Sequence, residues 1–336
     1  MNRKYQLWTI LFVVLVLSAL GSHILADSIG IQIVPIVHRI YGVPSKKPLA
    51  FAEGSSLMED GLSFELISDI LGRGIQTWFV PGSSPSEWEP LQRRVPDAEI
   101  TLIGVSPYDL NEQILCDYHA NVVPLKQTIE DLWQSGVELQ YSRHVISQYP
   151  MMYLRMLFPT AGRSQGVMGR IREQLGRLLG LSVAMEIEAG PVVPTGKAST
   201  KSEKISNWSQ GRMMRRIAAM RDDFQGKLSF AGPKNLALIR MLRNGQQQGL
   251  TVVAVLPVSP AFTKAFLTPE VSIQFESALS GIQLSVPEAH WIRLDRESSL
   301  NSNDYFWDLV HMNMFGQKIA TEIFLRELKT LSDTRV

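Results

Sequence analysis

The 336 residues are 45% hydrophobic, with 33 Lys and Arg against 32 Asp and Glu, which supports one large domain or a domain with insertions and excludes a disordered chain. The balanced charge removes any global electrostatic case for nucleic acid. A single cysteine, Cys116, excludes an intrachain disulfide or a zinc knuckle, and six scattered histidines without a His-x-x-x-His pair lead us to expect no metal and no cofactor.

After Arg3 and Lys4, the run from Tyr5 to Ala26 has no charged residue except the weakly basic His23. As a helix rising ~1.5 Å per residue it is long enough to cross a ~30 Å hydrocarbon core. The basic flank stays in the cytoplasm under the positive-inside rule, so residues 1–27 predict a single-pass inner-membrane anchor that leaves the rest extracytoplasmic or periplasmic. A cleaved signal peptide is the alternative, with Ala19-Leu20-Gly21 as its cleavage site. The apolar run exceeds the ~7–15 residues of a signal core, which favours the anchor.

Residues 28–47 read as a stalk. From residue 48 to 336, short apolar runs alternate with helical patterns, the sign of a parallel sheet covered on both faces. Five strands are predicted: Pro48 to Gly54, Ile75 to Gly82, Glu99 to Ser106, Leu250 to Ser259 and His290 to Asp295. Between the first two, Phe64, Ile67, Ile70 and Leu71 recur at helical spacing, with Asp60 available as a cap and Gly72 and Gly74 as stops. Gly232-Pro233 opens a helix carrying Leu238, Met241 and Leu242, and a last helix after Asn313 has a stripe of Ile319, Ala320, Ile323, Phe324, Leu328 and Leu331.

The stretch joining the third and fourth strands far exceeds the ~12 residues that a crossover needs. It reads as a helical insertion over about residues 125–232, with helices in "TIEDLWQSGVELQ", "MGRIREQLGRLLG" and "GRMMRRIAAM" and a polar, mobile stretch in "VVPTGKASTKSEKISNWSQG". Lys197, Lys201, Lys204, Arg212, Arg215 and Arg216 concentrate positive charge there, suited either to an anionic polysaccharide or to a solvated face. His119 and His144 read as surface or satisfied core residues, and "YPMMYLRMLFP", Tyr149 to Pro159, as core packing of the insertion or a docking surface.

Two short motifs carry the chemistry. "GSSL", Gly54 to Leu57, follows the first strand, and "DLVHMNMFG", Asp308 to Gly316, follows the last. Both lie where α/β sheets gather ligand sites. A serine needs an imidazole to take its proton, and the imidazole needs a carboxylate to fix its tautomer, so Ser56, His311 and Asp308 form a candidate relay. Taken alone, Gly-Ser-Ser is an ordinary turn or helix cap.

On these residues the chain resembles the SGNH (GDSL-like) hydrolases, and more closely their membrane-linked relatives in exopolysaccharide O-acetylation and cell-wall acyl transfer. The resemblance runs from about residue 48 to 330. It implies a flavodoxin-like three-layer α/β sandwich with a five-stranded parallel sheet, Ser56 as nucleophile, Gly82 as the second-block glycine, and a last block of Asp308, His311, Asn313 and Gly316. Two positions depart from the family pattern: Ser55 replaces the acid before the nucleophile, and Gly104-Val105-Ser106-Pro107 lacks the usual oxyanion-hole amide. Ser106 and Asn111 are the side chains available to replace that donor, beside the backbone N–H groups of Ser56 and Gly82. The implied function is serine-dependent acyl-ester transfer or hydrolysis, as an O-acetyltransferase or esterase of an exported polysaccharide, with membrane acyltransferase or export proteins as partners. The alternative is a catalytically inactive SGNH-like module that binds glycan or scaffolds an export complex.

Overall fold

A computed structural model describes residues 12–21, 50–72, 74–93, 98–114, 116, 119, 123, 125–135, 145–146, 149–150, 201–224 and 228–333. The chain divides into two compact units, Met1–Ile40 with Arg143–Val192, and Tyr41–Ser142 with Val193–Val336. In the first unit, residues 12–21 are helical and mostly exposed. Among the described residues no helix is long and apolar enough to cross a membrane. The rest of the Tyr5 to Ala26 run, the stalk, His144, Lys197 and most of Tyr149 to Pro159 lie outside the described residues, as does the "MGRIREQLGRLLG" segment.

The second unit contains an α/β fold built on five parallel strands: β1 Ala50–Gly54, β2 Ile75–Phe79, β3 Ile100–Val105, β4 Leu250–Val255 and β5 His290–Arg293. Their order is β2-β1-β3-β4-β5, the order of flavodoxin-like doubly wound sheets. The strands read as near-continuous apolar runs because both faces are covered. Alternation along β3 shows it: a Cβ on Gly104 would strike Met58 from one side, whereas Thr101 faces Gly245 on the other.

The helices are α1 Ser56–Gly61, α2 Phe64–Leu71, α3 Pro85–Gln92, α4 Leu125–Ser135, α5 Gln210–Asp223, α6 Pro233–Gln248, α7 Pro260–Phe266, α8 Pro269–Ser285 and α9 Met314–Asp333. One layer groups α6 with α3, α4 and α8; the other groups α9 with α1 and α2. Arg240 of α6 ties the first layer together, its guanidinium donating to Glu89 of α3 at 2.7 Å and to both oxygens of Asp131 of α4 at 2.9 and 2.8 Å. The α9 stripe buries Ala320, Ile323, Phe324 and Leu328, as its spacing predicts. Ser63, rather than Asp60, caps α2 by accepting from Leu66 N, and Asp60 is engaged elsewhere. Ile70 is exposed, so the apolar stripe of α2 is narrower than its sequence suggests.

Thr251 on β4 is buried, and its hydroxyl has no partner among the described residues. A buried hydroxyl without a hydrogen bond is destabilising, and valine has the same branched shape and strand preference. Thr251→Val is therefore expected to raise the unfolding free energy by about 1 kcal/mol, read from the midpoint of urea denaturation at unchanged m-value. A midpoint that falls would show that the hydroxyl is bonded in solution.

Candidate active site

The end of β1 gives the two serines of "GSSL" separate jobs. Ser55 is the N-cap of α1, its Oγ accepting from Leu57 N at 3.1 Å. Ser56 opens the helix, and its Oγ lies 2.9 Å from His311 Nε2. The cap reading thus belongs to Ser55, which leaves Ser56 to face the imidazole.

The loop after β5 delivers the other two side chains. Asp308 Oδ2 lies 2.9 Å from His311 Nδ1, and its Oδ1 accepts from Val310 N at 2.9 Å and His311 N at 2.7 Å. Because a carboxylate only accepts, Nδ1 carries the proton and Nε2 offers its lone pair to the serine hydroxyl. Burial pushes Asp308 up, but the ring bond and charge of His311 and the two backbone donors outweigh it and hold the carboxyl below its ordinary range. Asp308 is buried, while Ser56 and His311 are half-buried and open to a reactant.

The rest of the last motif builds the loop. Asn313 Oδ1 caps α9 through Phe315 N at 3.0 Å and Gly316 N at 3.1 Å, and its Nδ2 donates to Asp304 O at 2.7 Å. Gly316 lets α9 approach the Asn303–Tyr305 turn, since a Cβ there would lie 2.4 Å from the Tyr305 carbonyl oxygen.

The expected oxyanion residues are distributed differently. Gly82 sits in the turn after β2 with φ +68°, beside the nucleophile turn because Val80 N donates to Gly54 O at 3.0 Å. Among the described residues, the backbone N–H groups of Ser56 and Gly82 have no partner. Ser106 is buried, donates to Asp109 Oδ2 at 2.7 Å and accepts from Tyr108 N and Asp109 N, so its proton is committed. Asn111 is buried, its oxygen accepting from Gln113 N and Ser229 N. Its Nδ2 is shielded from solvent and has no partner among the described residues. The carbonyls of Asn111 and Ile114 instead accept from buried Lys234 Nζ, at 2.5 and 2.7 Å.

Sequence reasoning missed Trp307 and Glu59, although both flank motif residues. Trp307 stacks on His311 with ring centroids 5.0 Å apart and planes at 20°, and its Nε1 donates to Asp60 Oδ2 at 3.0 Å. Lys201 holds its ammonium 3.3 Å from the Trp307 ring centroid. Lys204 lies 5.2 Å from the Phe315 centroid, Arg212 pairs with Glu203 at 2.6 Å, and Arg215 and Arg216 are exposed on α5. His119 is a satisfied core residue, 2.5 Å from Glu87 and 3.0 Å from Thr128.

No family model matches the chain, and no curated protein matches it.

Glu59 is pushed up to about 7 by burial and by Asp60, against the pull of Lys201 and His311. The folded form therefore keeps a proton that the unfolded chain loses near pH 4.5. Stability attributable to this group falls as pH rises from there to about 7 and is flat above. Glu59→Gln is expected to match wild type in Tm at pH 4 and exceed it at pH 8. Parallel pH–Tm curves for the two proteins would contradict this.

Proposed function

We propose that this chain is a membrane-anchored, extracytoplasmic serine acyl-transfer enzyme of SGNH type, acting on acyl esters of an exported polysaccharide. The observation that carries the reading is the continuous relay Ser56 Oγ, His311 Nε2, His311 Nδ1 and Asp308 Oδ2, each link 2.9 Å. The Arg3/Lys4 flank and the apolar run behind it support the anchor and its orientation.

In the first half-reaction Ser56 Oγ attacks the acyl carbonyl carbon while His311 Nε2 takes the hydroxyl proton, and Asp308 stabilises the imidazolium. The carbonyl oxygen becomes an oxyanion, for which the backbone N–H groups of Ser56 and Gly82 are the available donors. Collapse expels the alkoxide, which takes the proton from His311 and leaves an acyl ester on Ser56. An incoming hydroxyl then loses its proton to His311, attacks the acyl-enzyme and releases Ser56. A glycan hydroxyl makes the reaction O-acyl transfer; water makes it ester hydrolysis. Lys201 and Lys204 lie over Trp307 and Phe315 of the motif loop, and Arg212, Arg215 and Arg216 add positive charge on α5, suited to an anionic glycan.

A fluorophosphonate probe is expected to label wild type at Ser56. Ser56→Ala and His311→Ala abolish labelling, and Asp308→Asn slows it on the order of 10³–10⁴-fold by releasing the tautomer. A folded wild-type protein that resists the probe would overturn the catalytic reading. Replacing Arg212, Arg215 and Arg216 with glutamine is expected to weaken retention on an anionic polysaccharide column and to flatten its salt dependence, without changing labelling. Unchanged elution would assign those arginines to a solvated face.

One observation favours the inactive glycan-binding module as a second reading. Ser106 has its proton on Asp109 and Asn111 Nδ2 is enclosed, so neither side chain points a free donor at an oxyanion in this conformation. This alternative predicts glycan retention that survives Ser56→Ala and His311→Ala in a protein that never labels.

A further inference from the structure

His311 is fixed within its own ring plane by two contacts, Nε2 to Ser56 and Nδ1 to Asp308. Two in-plane contacts leave the ring free to tilt about the line joining them. Trp307 supplies the contact that opposes tilting, because it lies nearly parallel to the imidazole with centroids 5.0 Å apart. Several elements grip the indole in turn. Asp60 of α1, four residues beyond Ser56 on the same helix, accepts from Nε1 at 3.0 Å. Trp307 N donates to His311 O at 3.1 Å, and the ammonium of Lys201 rests 3.3 Å from the ring centroid. Lys201 is itself anchored through its carbonyl, which accepts from Met314 N at 3.0 Å. Trp307 is only half-buried and does not belong to the hydrophobic core or to the side chains packed against it, so filling the core does not account for it.

We propose that Trp307 is a positioning residue that holds the imidazole of His311 flat between Ser56 and Asp308, with Asp60 and Lys201 setting the pose of the indole. The inference rests on the acyl-transfer reading for what the imidazole does, while the clamp itself is a statement about geometry. Its test therefore needs one readout that does not depend on activity.

That readout is the downfield proton NMR line of His311 Nδ1–H bonded to Asp308, recorded on the full chain beside fluorophosphonate labelling. Trp307→Leu is expected to broaden or erase the line and to slow labelling by about 10–100-fold, the scale of a misplaced catalytic group. Trp307→Phe retains a stacking face but loses the bond to Asp60, and is expected to give a line and a labelling rate between those of Trp307→Leu and wild type. A Trp307→Leu protein with a wild-type line and wild-type labelling overturns the proposal. If wild type shows the line but never labels, the nucleophile reading falls, and loss of the line in Trp307→Leu still supports the clamp. Should Trp307→Leu not fold, Asp60→Ala decides: freeing the indole N–H is expected to weaken the line, and an unaltered line counts against the clamp.

Discussion

The arrangement depends on one carboxylate. Asp308 divides its two oxygens between the ring of His311 and the backbone of the loop that carries that ring. Because one side chain does both, the imidazole cannot keep its tautomer if the loop changes shape, nor can the loop keep its shape if the carboxyl is neutralised. Burial alone would favour the protonated acid, yet the donors around it reverse that preference. The relay is thus assembled by local bonds within four residues, and only Ser56 must arrive from elsewhere. The sheet brings it, since β1 is an interior strand and the turn at its C-terminal end carries Ser56 to the loop that follows β5.

The strands were legible because both faces of a parallel sheet are covered, leaving apolar runs that only Gly, Pro and polar residues interrupt. The motif residues were legible too, for a reason that differs at each position. Asn313 is a cap, Gly316 a close approach, Asp308 and His311 a relay, and their spacing follows from a turn that leads straight into α9. Helix α3 was not legible: Ser84 to Gln92 has few apolar residues, and its anchoring comes from Trp88, the polar contacts of Glu87 and the reach of Glu89 to Arg240. Glu59 escaped notice because its burial comes from a fold contact. Trp307 escaped because an aromatic beside a histidine in sequence says nothing about whether the rings face each other.

Ser55 and Ser106 meet at one buried carboxyl, that of Asp109. Asp109 is buried, and burial pushes it up to about 6 against the hydroxyls of Ser55 and Ser106 and the charge of Lys234. Ser106 makes the well-formed bond, at 2.7 Å to Oδ2, while Oδ1 has none among the described residues. An aspartate at position 55 would bring a second buried carboxyl next to Asp109, where like charges disfavour ionisation of both. Serine there caps α1 without adding charge. Behind it, Glu53 is wholly buried with neither oxygen bonded among the described residues, and burial raises it well above the ordinary carboxyl range.

The insertion also packs on the loop that carries Asp308 and His311. The polar stretch expected to be mobile includes Lys201 to Ser209, which is stitched to the motif loop at several points. Ile205 N donates to Phe306 O at 2.9 Å, Asn313 Nδ2 donates to Glu203 O at 3.2 Å, and Ser206 Oγ donates to Asp304 Oδ1 at 2.5 Å. Periodicity analysis cannot detect such a segment, because its order comes from backbone groups pairing with a distant loop and not from an apolar stripe. Helix α5 then continues from Ser209, docking through Met213, Ile217 and Met220 while its arginines face outward. Arginines toward the N-terminal end and Asp222-Asp223 at the C-terminal end run against the helix dipole, so helix stability does not account for the placement of charge.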